Sequence, residues 1–342
     1  MRSLPLIALL LTLFSSSLLA AIKNSPGETL STVRHRGYLI CGVSQGLTGF
    51  STVDDKGQWQ GLDVDFCKAV ASAIFGDANK VSYVPLSAKD RFTALQSGDI
   101  DLLSRNTSWT LLRDTTLGLN FIGTIYYDAQ GLMIHKSAGI KSANELNGAI
   151  ICTNTGTTTE LNIADFFKAH QLKYQIITFE KSDETLSAYE AGRCDVYSTD
   201  MSALAAQKLK LKNPHDHFIL PERISKEPLS PVVRQGDEPW ANIIRWVLFA
   251  LVNAEELGIT QNNIKLSLNA SDSNIQRLLG KKDNLGEKLN LPNDWAYQAI
   301  LQVGNYGEIF ERNLGQKSPL KIERGLNALW SQGGILYAPP LR

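Results

Sequence analysis

The chain has 342 residues, with 34 basic and 34 acidic side chains, 43% hydrophobic residues and 20% charged ones. That length supports one large domain or two of roughly 150 residues, each with a buried core. A formal net charge of zero argues against a nucleic-acid partner or an anionic membrane surface, the apolar content excludes a disordered chain, and four cysteines are too few for a disulfide scaffold.

In chain order, one arginine, a leucine-rich run over 4–22 and Ala20-Ala21 read as a secretory signal peptide over residues 1–21. Leu18 or Leu19 stands where the cleavage site prefers a small residue, and an uncleaved membrane anchor is the alternative. Residues 38–44 are strand-like and 62–75 carry apolar residues at helical spacing up to Gly76. A strand over 81–85, a helix over 88–97 and a strand over 100–104 follow. The same order returns as 149–153, 158–170, 175–179, 184–191 and 194–198. Such alternation argues an α/β architecture with largely parallel sheets. Extended stretches at 121–133 and 225–232 suit two crossover strands. From 237 onward helices are expected over 240–257, 273–279, 294–311 and 322–330. Asn242, Arg245, Asn253, Glu255 and Glu256 mark 240–257 as a helix of a soluble core. The polar loop His215-Asp216-His217 reads as a solvated turn.

Residues 94–106 lie without gaps over 188–200: a helix, a glycine (Gly98, Gly192), a two-residue turn, an aspartate (Asp101, Asp195) and an apolar strand. The repeat implies two similar lobes. Asn106 and Asp200 then emerge at the carboxyl ends of equivalent strands, where open α/β sheets bind ligands. Export permits disulfides. Four cysteines allow three connectivities, and proximity along the chain favours Cys41 with Cys67 and Cys152 with Cys194. Zinc is the competing use, but no ligand spacing supports it.

The residues after the first repeat include Ser108, Thr110 and Arg113, two hydroxyls and a guanidinium that can converge on a carboxylate. In the second half, Thr153 to Glu160 leads from a strand into a helix whose free amides favour an anion, with Thr157 and Glu160 as a capping box. Asp200 supplies the opposite charge. An arginine from one lobe facing a carboxylate from the other is what a zwitterion needs, because its ammonium is costly to desolvate unpaired.

With these residues in place, the chain resembles the periplasmic solute-binding proteins of polar and general L-amino-acid ABC importers, the glutamate/glutamine/aspartate/asparagine group. The resemblance spans nearly the whole mature chain. Its markers include Gly61-Leu62-Asp63-Val64-Asp65-Phe66, Ala88-Lys89-Asp90-Arg91-Phe92, Thr110-Leu111-Leu112-Arg113, Thr155-Gly156-Thr157-Thr158-Thr159-Glu160 and Asn305-Tyr306-Gly307-Glu308. It implies a two-lobed Venus-flytrap fold with two crossover strands and a helical C-terminal extension. The implied division is 30–125 for the first part of lobe 1, 126–228 for lobe 2 with the hinge strands, and 229–342 for the return to lobe 1 and the C-terminal helices. By the same resemblance Arg113 grips the α-carboxylate, helped by Ser108 and the amides of Thr158 and Thr159. Asp200 holds the ammonium with the Asn106 carbonyl, Ser44 and Leu47 line the pocket, and Arg91 reads an acidic side chain. A small Gly or Ser is frequent where Asn106 stands. The implied partners are an L-amino acid and a membrane permease, with a periplasmic monomer and neither cofactor, metal nor nucleic acid. A dehydratase-like enzyme on the same fold, with Asp200 or Asp128 as its acid, is the alternative. A receptor sensor domain is disfavoured, because no signalling segment follows.

Overall fold

The computed structural model describes residues 27–342; the expected signal peptide lies outside the described residues. Two five-stranded sheets carry the fold. In the first, the order is Val81–Leu86, Leu39–Ser44, Leu102–Leu103, Val232–Arg234, Leu119–Phe121. In the second it is Tyr174–Phe179, Ala149–Asn154, Val196–Asp200, Gln130–His135, His217–Ile219. The two are built alike. Three strands run parallel, second-first-third, and a fourth joins antiparallel after crossing from the other lobe. The central strands Leu39–Ser44 and Ala149–Asn154 are buried on both faces, which is why they read as largely apolar runs.

The repeat extends to individual hydrogen bonds. Gly98 and Gly192 end their helices at φ 86° and 72°. Asp99 N donates to the Ala94 carbonyl and Arg193 N to the Ala188 carbonyl, both at 3.0 Å. Asp101 and Asp195 then each clamp the first strand of their lobe, accepting from Ile40 N and Ile150 N at 2.8 Å in both cases. Cys41 bonds Cys67 on the helix Leu62–Phe75, with 6.4 Å between Cα atoms. Cys152 bonds Cys194 across 5.7 Å, so each lobe has its own staple.

The crossings lie side by side as Tyr126–Asp128 and Glu227–Leu229, paired antiparallel with Asp128 opposite Glu227. Beyond them the helix Glu238–Glu256 buries Trp240, Ile243, Ile244, Val247, Leu248 and Leu251 against the first lobe. Among the described residues no helix is long and apolar enough to cross a membrane.

Three expectations are corrected. The helix expected over 294–311 is two, Trp295–Val303 and Tyr306–Asn313. They break at Gly304 because Asn305 and Glu308 close a capping box, Asn305 Oδ1 on Glu308 N at 2.8 Å and Glu308 Oε2 on Asn305 N at 2.9 Å. Residues 322–330 form only the short turn Gly325–Asn327. There Asn327 is drawn to the hinge, accepting from Tyr127 N at 2.7 Å and donating to the Tyr127 carbonyl at 3.1 Å. His217 is not solvated. It opens an edge strand, is buried, and its Nδ1 lies 2.8 Å from the Tyr189 hydroxyl.

Candidate functional site

A cavity of about 380 Å³ lies between the carboxyl ends of the parallel strands of the two sheets. From the first lobe come Ser44, the last residue of strand Leu39–Ser44, Leu47 just beyond it, Arg91 at the start of helix Arg91–Ser97, and Asn106 and Ser108 beyond strand Leu102–Leu103. From the second come Thr158 and Thr159, on the first turn of helix Thr158–Ala169, and Asp200 at the end of Val196–Asp200. These eight expected residues line the one cavity.

Thr110 and Arg113 stand behind it. Thr110 caps the helix Leu111–Thr116, its Oγ1 accepting from Arg113 N at 3.3 Å. The Arg113 guanidinium turns back and donates through Nη1 to the Ser108 carbonyl at 3.0 Å. The expected capping box is also replaced: Thr157 Oγ1 donates to the Asn154 carbonyl at 2.7 Å instead of accepting from its own helix.

Two charged residues emerge that sequence reasoning passed over. Arg105 lines the cavity while its Nε donates to the Leu86 carbonyl at 3.0 Å. Its position between Ser104 and Asn106 at a strand end was the only signal. Glu227, on the returning hinge strand, is 2% exposed and joins the lobes. Its carboxylate accepts from Ser108 Oγ of lobe 1, and from Thr158 Oγ1 at 3.0 Å and Asn162 Nδ2 at 2.8 Å of lobe 2. Ser225 Oγ completes the set at 2.6 Å. The Ser108 hydroxyl, expected to help hold a ligand carboxylate, is thus engaged by a carboxylate of the protein itself.

The wall is polarised. Arg91 is 3% exposed, its Nη1 and Nη2 reach Thr107 Oγ1 and the Gly156 carbonyl only at 3.4 and 3.5 Å, and its buried Nε has no partner. Burial, then the neighbouring Arg105 and Arg113, pull its pKa well below the ordinary range; burial lowers that of Arg105 to about 10. A guanidinium so poorly satisfied among others of its sign calls for an anion. Opposite, burial and then Asp128 and Glu227 push Asp200 well above the usual carboxylate range. Asn106 Nδ2 reaches Asp200 Oδ2 at 3.4 Å. Asp128 is tied down by Ser202 and Ala129 N, and burial raises it to about 6.

The lobes touch across the cleft. Gly156, at φ 73°, lies so near the other lobe that a Cβ there would meet Lys89 Cα at 3.1 Å. At the mouth Lys210 Nζ donates to the Gly46 carbonyl at 3.2 Å while pairing with Asp183.

Asp63 and Asp128 both titrate near 6 against an ordinary 3.8 because burial opposes their charge. For such groups the folded state binds more protons than the unfolded between those values. Their stabilisation is complete below pH 3.8 and is lost as pH rises through 6. The ligand-free protein is therefore expected to melt at a higher temperature at about pH 5 than at about pH 7. Scanning calorimetry at the two values checks this, and a lower melting point at the acid value would refute it.

Comparison with known proteins agrees with this geometry. Residues 39–263 match the family of bacterial extracellular solute-binding proteins, family 3. The chain is 60% identical to the general L-amino acid-binding periplasmic protein AapJ of Rhizobium johnstonii, over 92% of this chain and 93% of that one. It is 51% identical to the glutamate/glutamine/aspartate/asparagine-binding protein BztA of Rhodobacter capsulatus, over 96% and 98%. A solved periplasmic binding protein of an ABC transporter from Brucella ovis, with glutathione bound, superposes with a TM-score of 0.90 at 56% identity, covering 92% of this chain and 99% of that one. With two like lobes, a polarised cleft between them and these relatives, the chain belongs to the bacterial extracellular solute-binding proteins of family 3.

Proposed function

We propose that this protein captures L-amino acids in the periplasm, acidic and polar ones foremost, and delivers them to the membrane permease of an ABC importer. The observation that carries the reading is the opposition of Asp200 from one lobe and the buried arginines of the other across one cavity. The zwitterion's ammonium goes to Asp200 and the Asn106 carbonyl. Its carboxylate goes to the first-turn amides of Thr158 and Thr159, in the field of Arg113 behind Ser108, whose own hydroxyl is given to Glu227. Arg91, with Arg105 beside it, takes the side-chain carboxylate of an acidic ligand. Ser44 and Leu47 close the far side. Because both lobes contribute to one ligand, ligand binding favours the closed form by its differential affinity, and the permease reads that form.

A second reading enlarges the ligand. The cavity is also lined by Gln45, Gly46, Glu180, Lys181 and Asp183, a larger set than an amino-acid head group needs. Glutathione, present in the Brucella relative, ends in a γ-linked glutamyl unit with a free ammonium and carboxylate, the same head group. An enzymatic role is not favoured. Asp128 is saturated by Ser202 and the Ala129 amide, and among the described residues the hydrogen-bond partner of Asp200 is the amide of Asn106, not a nucleophile.

Calorimetry of the mature protein with L-glutamate, L-glutamine, L-aspartate, an apolar amino acid and glutathione tests both readings. Arg91→Ala should cost acidic ligands roughly 1.5–3 kcal/mol more than apolar ones, the worth of a charge-assisted hydrogen bond. Equal losses across the panel would remove its side-chain role.

A further inference from the structure

Asn106 is a departure that the cleft has to accommodate. It is a non-glycine residue at φ 26°, inside the left-handed region, and its side chain lies on the cavity wall. Its Nδ2 points to Asp200, while its Oδ1 is buried without a partner. What holds the backbone there lies outside the cavity. Asp63, on the first turn of helix Leu62–Phe75 and 2% exposed, accepts from Asn106 N through Oδ2 at 3.0 Å and from Ser104 Oγ through Oδ1 at 3.2 Å.

We infer that Asp63 is a positioning residue for ammonium recognition: it fixes Asn106 in a left-handed turn that holds its carboxamide against Asp200, where a half-turn of the amide exchanges the Nδ2 contact for the orphan Oδ1 and supplies a second side-chain acceptor. An ammonium has three N–H donors, and a lone carboxylate leaves some of them unmet in a buried site. The paired acceptors Asp200 and Asn106 Oδ1 meet more of them than Asp200 alone. A glycine at 106 would take this backbone conformation unaided but present nothing. The inference rests on the zwitterion reading of the cleft.

The test is a double-mutant cycle on the mature chain, with L-glutamate and L-alanine titrated calorimetrically into wild type, Asp63→Asn, Asn106→Gly and the pair. Asp63→Asn should raise Kd about tenfold for both ligands, yet change it less than about twofold when residue 106 is glycine. Equal losses in both backgrounds, or no loss in a folded Asp63→Asn protein, would overturn the role of Asp63. A wild type that binds neither amino acid would instead bring down the functional reading together with this one. Should Asp63→Asn fail to fold, Asp63→Glu takes its place in the same cycle. It keeps the charge but shifts the carboxylate by one methylene, so it should raise Kd severalfold beside Asn106 and change it less than about twofold when residue 106 is glycine, and equal losses in both backgrounds would overturn the inference.

Discussion

Asp200→Asn is expected to weaken every amino-acid ligand by about 3 kcal/mol or more, over a hundredfold in Kd, because it strands an ammonium in a buried site. The cause is local. Asp200 is 7% exposed, and the neutral groups near it, Asn106 above all, cannot replace a counter-charge. The same substitution should leave the fold intact or firmer, since Asp128 and Glu227 already oppose the ionised carboxylate. Calorimetric titration alongside thermal unfolding separates the two effects. A folded Asp200→Asn protein that binds with unchanged affinity would remove the residue from the site.

The second large effect concerns the staples. Cys152 and Cys194 close a loop with a sequence separation of 42, and Cys41 and Cys67 one of 26. On chain entropy alone, replacing the first pair by alanine should cost about 4 kcal/mol of stability and the second about 3.5. Both bridges lie in the cores beneath the cleft, with all four sulfur-bearing residues buried. The loss should therefore appear in denaturant midpoints, with ligand affinity of the still-folded protein little changed. A loss under about 1 kcal/mol for either pair would show that its loop is already restrained in the unfolded chain.

Much of this architecture is legible in the sequence because it rests on local signals. β-Branched runs between polar turns mark the strands, and the glycines at 98 and 192 with the aspartates at 101 and 195 mark the repeat that the hydrogen bonds reproduce. The facing of Asn106 and Asp200 follows from that repeat, as the carboxyl ends of equivalent strands, whereas Arg91 and Thr158 come to the site through the family resemblance. What escapes is the direction of side chains that leave loops. Nothing local says that Arg113 turns back to the Ser108 carbonyl while Arg105 reaches the cavity, or that a glutamate of the return strand takes the Ser108 and Thr158 hydroxyls. The segment 322–330 misleads for a related reason. Ile322, Leu326 and Leu329 have helical spacing, but Asn327 is claimed by the backbone of Tyr127, some two hundred residues earlier in the chain.

The exchange of strands between the sheets also dictates an order of assembly. All five strands of the second sheet come from one uninterrupted stretch, Gln130 to Ile219. The first sheet has a gap between Leu102–Leu103 and Leu119–Phe121 that only Val232–Arg234 fills. As the chain emerges amino end first, the later-made half can close its core while the earlier-made half still waits for its missing member. The amino-terminal segments must therefore linger with an open apolar edge until more than a hundred further residues have appeared, and a newborn chain halted between Ile219 and Val232 would carry one finished half and one unfinished.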